Sequence, residues 1–249
     1  MSAAPILLFD QTDSTNAEAR RRAEVGETGP LWIAARHQTA GRGRRGRNWQ
    51  SETGNLAATL LFVTQKAPAE AAQVTFIAAL AVADLLDGWA PPSLVTIKWP
   101  NDVMLAGEKV AGILVESGPH PNGDLWLAVG IGVNLTHAPT GTERPATALA
   151  HHLAVGATIP PSVEIACQRL AVAFAVWQER WETMGFQPIL DAWRTRTPGL
   201  DGPAVARLGH ETVEGRAEGV AADGALKLRL ADGSLRLISA GDVFFGEAA

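Results

Sequence analysis

Between Thr39 and Ser51 the chain reads T-A-G-R-G-R-R-G-R-N-W-Q-S: Arg42, Arg44, Arg45 and Arg47 alternate with Gly41, Gly43 and Gly46, and no carboxylate follows before Glu52. Arginine presents a permanently charged, planar set of donors matched to phosphate and carboxylate. Glycine lets backbone N–H groups approach an anion and take positive φ. Trp49 adds a flat apolar surface with one donor. Such a segment can close over an anionic ligand. A solvated loop or an RNA-contacting arm has a similar composition. Against that reading stand the tryptophan and the confinement of the charge to one site in a chain of net charge −5. A nucleoside triphosphate or an acyl phosphate fits better. No G-x-x-x-x-G-K-[ST] segment is present. The glycines precede a strand rather than open a helix, which argues against a dinucleotide fold.

A second cluster is Lys98-Trp99-Pro100-Asn101-Asp102, followed by Lys109-Val110-Ala111-Gly112. Pro100 fixes φ and halts a strand, which places Asn101 and Asp102 on a stiff corner. The Asn101 carboxamide can read an adenine edge. Asp102 can hold Mg²⁺ or act as a base. Lys109 follows a hairpin turn, where its ammonium can reach a carboxylate or phosphate, and Gly112 leaves room beside it. Singly these are a surface lysine, a turn aspartate and a packing glycine. Their coincidence with the arginine–glycine loop points to a nucleotide-activating site. Two further stretches have a plain and a functional reading. Asp13, Ser14, Thr15 and Asn16 are all N-cap types, so they either cap a helix or bind a polar ligand with it. Gly130-Ile131-Gly132-Val133-Asn134 marks a bulge or the close approach of a ligand. The adjacent His151 and His152 share no helical face and are read as non-metal histidines.

These residues need a scaffold. Apolar runs predict strands over 6–9, 31–35, 55–64, 94–98 and 124–133, with a hairpin of 103–105 and 109–116. Helical spacing predicts helices over 17–24, 69–86, 147–153, 162–183 and 186–196. After Gly199 the texture changes to short alternating runs, 204–208, 212–219, 225–230 and 234–238, separated by turns such as Asp223-Gly224 and Asp232-Gly233. A small SH3-like barrel of five strands is expected there, with 1–199 and 200–249 as the two domains. The chain opens directly on its first strand, which leaves no room for an N-terminal DNA reader. Its 249 residues, 47% hydrophobic, suit a soluble globular protein. One cysteine, Cys167, suits a reducing compartment. No signal peptide is read in Met1–Phe9, and the longest apolar run, Leu170–Trp177, is too short for a membrane span. A cytoplasmic protein without membrane contact is expected, and monomer and homodimer both stay open.

Taken in order, D-S-T-N, G-R-G-R-R-G-R-x-W, K-W-P-N-D, K-V-A-G-I-L-V-E-S and G-I-G-V-N-L resemble the biotin–protein ligases, in the class without an N-terminal DNA-binding domain. The resemblance implies an α+β fold: a mixed β-sheet catalytic domain of the class II aminoacyl-tRNA synthetase-like, biotin/lipoate ligase kind, with helices on one face and an SH3-like C-terminal domain. It implies that biotin and MgATP form biotinyl-5′-AMP, from which biotin passes to a lysine of a biotin carboxyl carrier protein. Ser14, Thr15, Asn16, Gln38, Gly41 and Arg42 are implied to bind biotin. Gly112 and Gly132 flank it, and Lys109 meets its carboxylate. Arg44 holds that carboxylate and then the adenylate phosphate. Arg47, Trp49, Asn101 and Asn134 face the nucleotide. Lys98 and Asp102 serve phosphate, Mg²⁺ or the incoming amine. A lipoate–protein ligase, or a non-enzymatic module binding a carrier or nucleic acid, is the alternative.

Overall fold

The computed structural model describes residues 4–142 and 145–246. Seven strands form the main sheet: β1 (Ile6–Thr12), β2 (Leu31–Gln38), β3 (Leu56–Thr64), β4 (Val95–Lys98), β5 (Asp102–Leu105), β6 (Glu108–Pro119) and β7 (Leu125–Val133). Their spatial order is β1-β2-β3-β7-β6-β5-β4, with β1 and β2 parallel and the other neighbours antiparallel. Strand alternation sorts the apolar residues onto two faces. Trp32, Ala34, Leu60, Phe62, Leu127 and Val129 join the large core under α3 (Val74–Asp87), α4 (Val163–Met184) and α5 (Gln187–Thr195). Ile33, Leu61, Trp126 and Ala128 face the other way and bury Ala19 and Ala23 of α1 (Thr15–Glu24). Helices therefore lie on both faces, not on one as the resemblance implies, because α1 is needed to cover the second apolar patch.

Several elements differ from the sequence reading for identifiable reasons. β1 runs on to Thr12 because Gln11 and Thr12 pair with His37 and Gln38; main-chain bonding carries the strand past its apolar residues. The first helix starts at Thr15 rather than Ala17, with the Thr15 N–H donating to Gln38 Oε1 at 2.8 Å. The helix expected over 69–86 is divided into one turn, α2 (Pro68–Ala71), and α3. The helix expected over 147–153 is only a 3-10 turn, Leu149–His151, because Ala146 and Thr147 are extended beside Lys109. Among the described residues, Pro68–Asp87, not Leu170–Trp177, is the helical stretch long and apolar enough to cross a membrane; it is mostly buried as core.

A second, five-stranded antiparallel sheet follows, in the order β11-β10-β9-β8-β12. Its strands are β8 (Pro203–Arg207), β9 (Thr212–Val220), β10 (Leu226–Arg229), β11 (Leu235–Ile238) and β12 (Asp242–Phe245). β12 has no counterpart among the runs read in the sequence, because Asp-Val-Phe-Phe shows no apolar–polar alternation. The Asp223-Gly224 hairpin turn packs on the main core. Trp99 donates from Nε1 to Gly224 O at 3.0 Å, and Gln73 donates from Nε2 to Ala222 O at 2.7 Å. Gly224 has φ +88°, and a Cβ there would lie 2.8 Å from the Phe76 ring.

Gly224→Ala should therefore destabilise the protein through both strain and collision, by about 2–3 kcal/mol. Gly233→Ala, at φ +84° with open space around it, carries strain alone, about 1 kcal/mol. Thermal melting should separate the two variants by several degrees, with Gly224→Ala the lower; equal melting points would remove the turn from the joint between the sheets.

Candidate functional site

The face of β7 that meets α1 reads Trp126, Ala128, Gly130, Gly132, so side-chain bulk disappears along the strand. Register extends the gap sideways. Ala57 of β3, Gly132 of β7 and Gly112 of β6 stand in one row, and Thr59, Gly130 and Leu114 in the next. Helix α1 covers the Trp126–Ala128 end, and the arginine–glycine loop spans the rest. Between loop and sheet lies a cavity of about 310 Å³.

Trp49 lies on this bare strip. A Cβ on Gly132 would fall 2.3 Å from the indole, and one on Gly112 3.0 Å from it. The backbone on the other side of the tryptophan is equally close: the Trp49 N–H donates to Gly41 O at 3.0 Å, and a Cβ on Gly41 would meet Trp49 O at 2.5 Å. Inside the loop, Arg44–Gly46 makes a 3-10 turn with Arg45 at φ 58°.

The end of the cavity against α1 is a buried polar network. Ser14, Thr15 and Asn16 are each only 4% exposed. Ser14 occupies the N-cap position without making a side-chain cap bond. The Thr15 hydroxyl lies 3.1 Å from Gln38 Oε1, and Gln38 donates from Nε2 to Ser51 Oγ at 2.8 Å. Thr59 Oγ1 is 2.8 Å from Thr15 Oγ1 and 2.7 Å from Asn16 Oδ1. Asn16 donates in turn to Leu114 O and, at 2.7 Å, to Glu116 Oε2. A Cβ on Gly130 would overlap Asn16 Oδ1 at 2.1 Å, so this glycine admits the asparagine.

The opposite end is charged. Lys109 Nζ lies 2.6 Å from Asp102 Oδ1 and 5.8 Å from the centre of the Trp49 ring. Arg47 reaches Asp242 of β12 at 2.8 Å, while Arg42 reaches back to Glu116 of the α1-end network at 3.5 Å. Arg44 has a neutral partner: it donates from Nη1 to Asn101 Oδ1 at 3.0 Å, while Asn101 donates from Nδ2 to Ile113 O at 2.7 Å. Burial lowers the Arg44 pKa from its ordinary value, and the Asp102 charge partly offsets that. Asn134, 1% exposed, donates from Nδ2 to Thr147 O, and its Oδ1 has no hydrogen-bond partner among the described residues. No group of three or more His, Cys, Asp or Glu suited to a metal occurs among the described residues.

One cavity thus collects Ser14, Thr15, Asn16, Gln38, Arg42, Arg44, Arg47, Trp49, Asn101, Asp102, Lys109, Gly112, Gly132 and Asn134. Gly41 borders a second hollow on the outer side of the loop instead. Lys98 is not in the cavity wall; its ammonium stands 4.6 Å from the centre of the Phe244 ring. Asn101 accepts from Arg44 and donates to Ile113 O, so it braces Arg44 and keeps one N–H and one lone pair beyond these bonds. Sequence reasoning missed Thr59, Leu114 and Asp242. Thr59 leaves one signal, a lone hydroxyl in the run L-A-A-T-L-L. Asp242 leaves none, because its partner is 195 residues away.

Residues 8–134 match the biotin/lipoate A/B protein ligase family, and residues 205–246 match the biotin protein ligase C-terminal domain. The chain belongs to this ligase family. It is 46% identical to the biotin–[acetyl-CoA-carboxylase] ligase of Paracoccus denitrificans, over 96% of this chain and 100% of that one. The ligase fold extends over its whole described length. The biotin protein ligase of Aquifex aeolicus in complex with biotin and ATP superposes with a TM-score of 0.78 at 22% identity, covering 98% of this chain and 99% of that one. The Leishmania major ligase in complex with biotinyl-5-AMP superposes at 0.62 with 24% identity, covering 95% and 99%.

The close fit of Trp49 to the glycine strip is testable. In Gly132→Ala the new methyl would lie 2.3 Å from the indole, and the loop should yield rather than the sheet. Stability should change by no more than about 1 kcal/mol. Acrylamide quenching of Trp49, taken as the difference from Trp49→Phe in each background, should rise. Unchanged quenching would place the indole elsewhere.

Proposed function

We propose that this chain activates biotin with ATP to biotinyl-5′-AMP and transfers the biotinyl group to a lysine of the carrier protein of a biotin-dependent carboxylase. The observation that carries the reading is the convergence of a partly buried Arg44, whose side-chain partner among the described residues is the neutral Asn101, and Lys109 on a cavity floored by Ala57, Gly132 and Gly112. A fused bicyclic ring needs such a flat slot, and a carboxylate attacking a phosphate needs cations beside it. The ring lies on the Gly112–Gly132 strip, its polar ureido end toward Ser14, Thr15, Asn16 and Gln38. Trp49 occupies that strip here, so it lifts to admit the ring and closes over the product. Asn134 Oδ1, a buried acceptor without a partner among the described residues, suits the exocyclic amine of adenine once the wall opens.

Two anions must be brought together in the first step. Arg44 and Lys109 offset their repulsion and hold charge that develops on the transferred phosphorus oxygens. Asp102 orients Lys109 toward the cavity. Magnesium bound with ATP phosphates takes one or two carboxylates besides them; Asp102, with Asp242 one of two cavity carboxylates among the described residues, would be such a ligand, and the ion would supply further charge neutralisation. The ordered loop excludes water from the labile anhydride. In the second step the carrier lysine attacks the acyl carbon, AMP leaves, and Arg44 retains the adenylate until then. The domains act as 1–199, which binds both substrates, and 200–249, which borders the loop through Asp242.

Biotin-dependent exchange of labelled pyrophosphate into ATP tests the first step; exchange supported by lipoate but not biotin would favour the lipoate alternative. For Arg44, removal deletes a charge-assisted contact of about 1.5–3 kcal/mol, which corresponds to roughly ten- to a hundred-fold weaker retention of the adenylate. Arg44→Gly should still exchange pyrophosphate, since Lys109 remains, but should leak adenylate and label an unrelated lysine-rich protein. Exchange without any increase in off-target labelling would remove Arg44 from the adenylate clamp.

A further inference from the structure

β12 is the strand through which the C-terminal sheet reaches the site. Its residues alternate: Val243 is fully buried within the C-terminal sheet, while Asp242 and Phe244 face the catalytic sheet. Asp242 Oδ2 lies 2.8 Å from Arg47 and 3.7 Å from Arg45, and Asp242 and Gly241 both border the cavity. Two residues on, the Phe244 ring stands against Lys98 at 4.6 Å. The C-terminal sheet therefore meets basic residues of the catalytic domain at two successive positions.

From this placement we infer that Asp242 is a positioning residue that parks Arg45 and Arg47 in the nucleotide-free state and gives them up to the phosphates of ATP. The inference rests on the adenylating function proposed above. A single carboxylate cannot match a triphosphate, which carries several charges and a fork of acceptors for each guanidinium. The side chains of Asp242, Arg45 and Arg47 are 25%, 41% and 52% exposed, so the pairs are partly screened by water and weak. Weakness suits the role: the pairs organise a glycine-rich loop whose arginines would otherwise repel one another, yet they yield to a stronger anion. Asp242 is also a negative charge on the route of the phosphates, so it opposes ATP binding while it orders the loop. No metal-ligand role for Asp242 reproduces that pair of opposed effects.

The test uses the full chain and the isosteric Asp242→Asn, with Asp242→Glu as the charge-retaining control. In ligand-free protein, trypsin should nick the loop after residues 42–47 several-fold faster in Asp242→Asn than in wild type, with Asp242→Glu restoring part of the protection. At saturating biotin, pyrophosphate exchange by Asp242→Asn should show a KM for ATP lower by about two- to five-fold, the range of one exposed ion pair. Equal nicking in wild type and Asp242→Asn would overturn the inference. So would a raised KM for ATP with a raised magnesium requirement, the signature of a lost metal ligand. A wild-type protein without biotin-dependent exchange would sink the proposed function, while the trypsin comparison would still decide whether Asp242 holds the loop.

Discussion

Ala57, Gly132 and Gly112 stand in register across β3, β7 and β6, and the site depends on that row staying bare. A sheet face without side chains cannot be closed by ordinary core packing. A helix laid on it would leave a void, and voids in a packed interior are costly. Helix α1 therefore covers the half that carries Trp126 and Ala128 and leaves the rest to a loop. A loop can come away from the sheet, and a helix seated in a core cannot do so at comparable cost. The glycines thus leave a slot on the sheet and give it a loop rather than a helix for cover.

The two ends of the slot follow different electrostatic rules. At the α1 end Ser14, Thr15, Asn16, Gln38 and Thr59 are buried, and the last four are tied into one continuous network that reaches water through Glu116. Buried networks of this kind are rigid when fully satisfied, which suits recognition of a neutral, shape-specific head group. At the other end the cations sit closer to water, each held by a partner from a different element: Arg47 by β12 and Lys109 by β5. Arg44 differs in having an amide for a partner and in being partly desolvated. Among the described residues Arg44 is thus a cation partly stripped of water and without a carboxylate partner.

The chemistry was largely legible in the chain, and the bracing was not. Runs such as G-R-G-R-R-G-R and K-W-P-N-D are local, so their residue types carry the message, and the structure gathers all four arginines of the first run, with Asn101 and Asp102 of the second, into one cavity wall. The row of small residues was half visible: Gly112 and Gly132 invite attention, but Ala57 joins them only through strand register, which one chain does not display. The second role of Asn101 was hidden for the same reason, because its partners are Arg44, 57 residues before it, and the Ile113 carbonyl. Most strands and helices follow from periodicity. The exceptions lie where main-chain pairing overrides composition, as in polar Gln11–Thr12 and extended Ala146–Thr147.

The joint at Trp99 also has a consequence in time. Its hydrogen-bond acceptor, Gly224 O, lies 125 residues further along the chain. At ribosomal rates that interval is roughly 6–25 s. Through it the nascent catalytic domain holds Trp99 and Phe76 of α3 without the turn that covers them, an apolar patch open to chaperones or to aggregation. The carboxylate that meets Arg47 arrives later still, with β12. Synthesis therefore delivers the slot first and the partner of its arginine loop 195 residues after Arg47, so the loop is without that carboxylate until β12 has emerged.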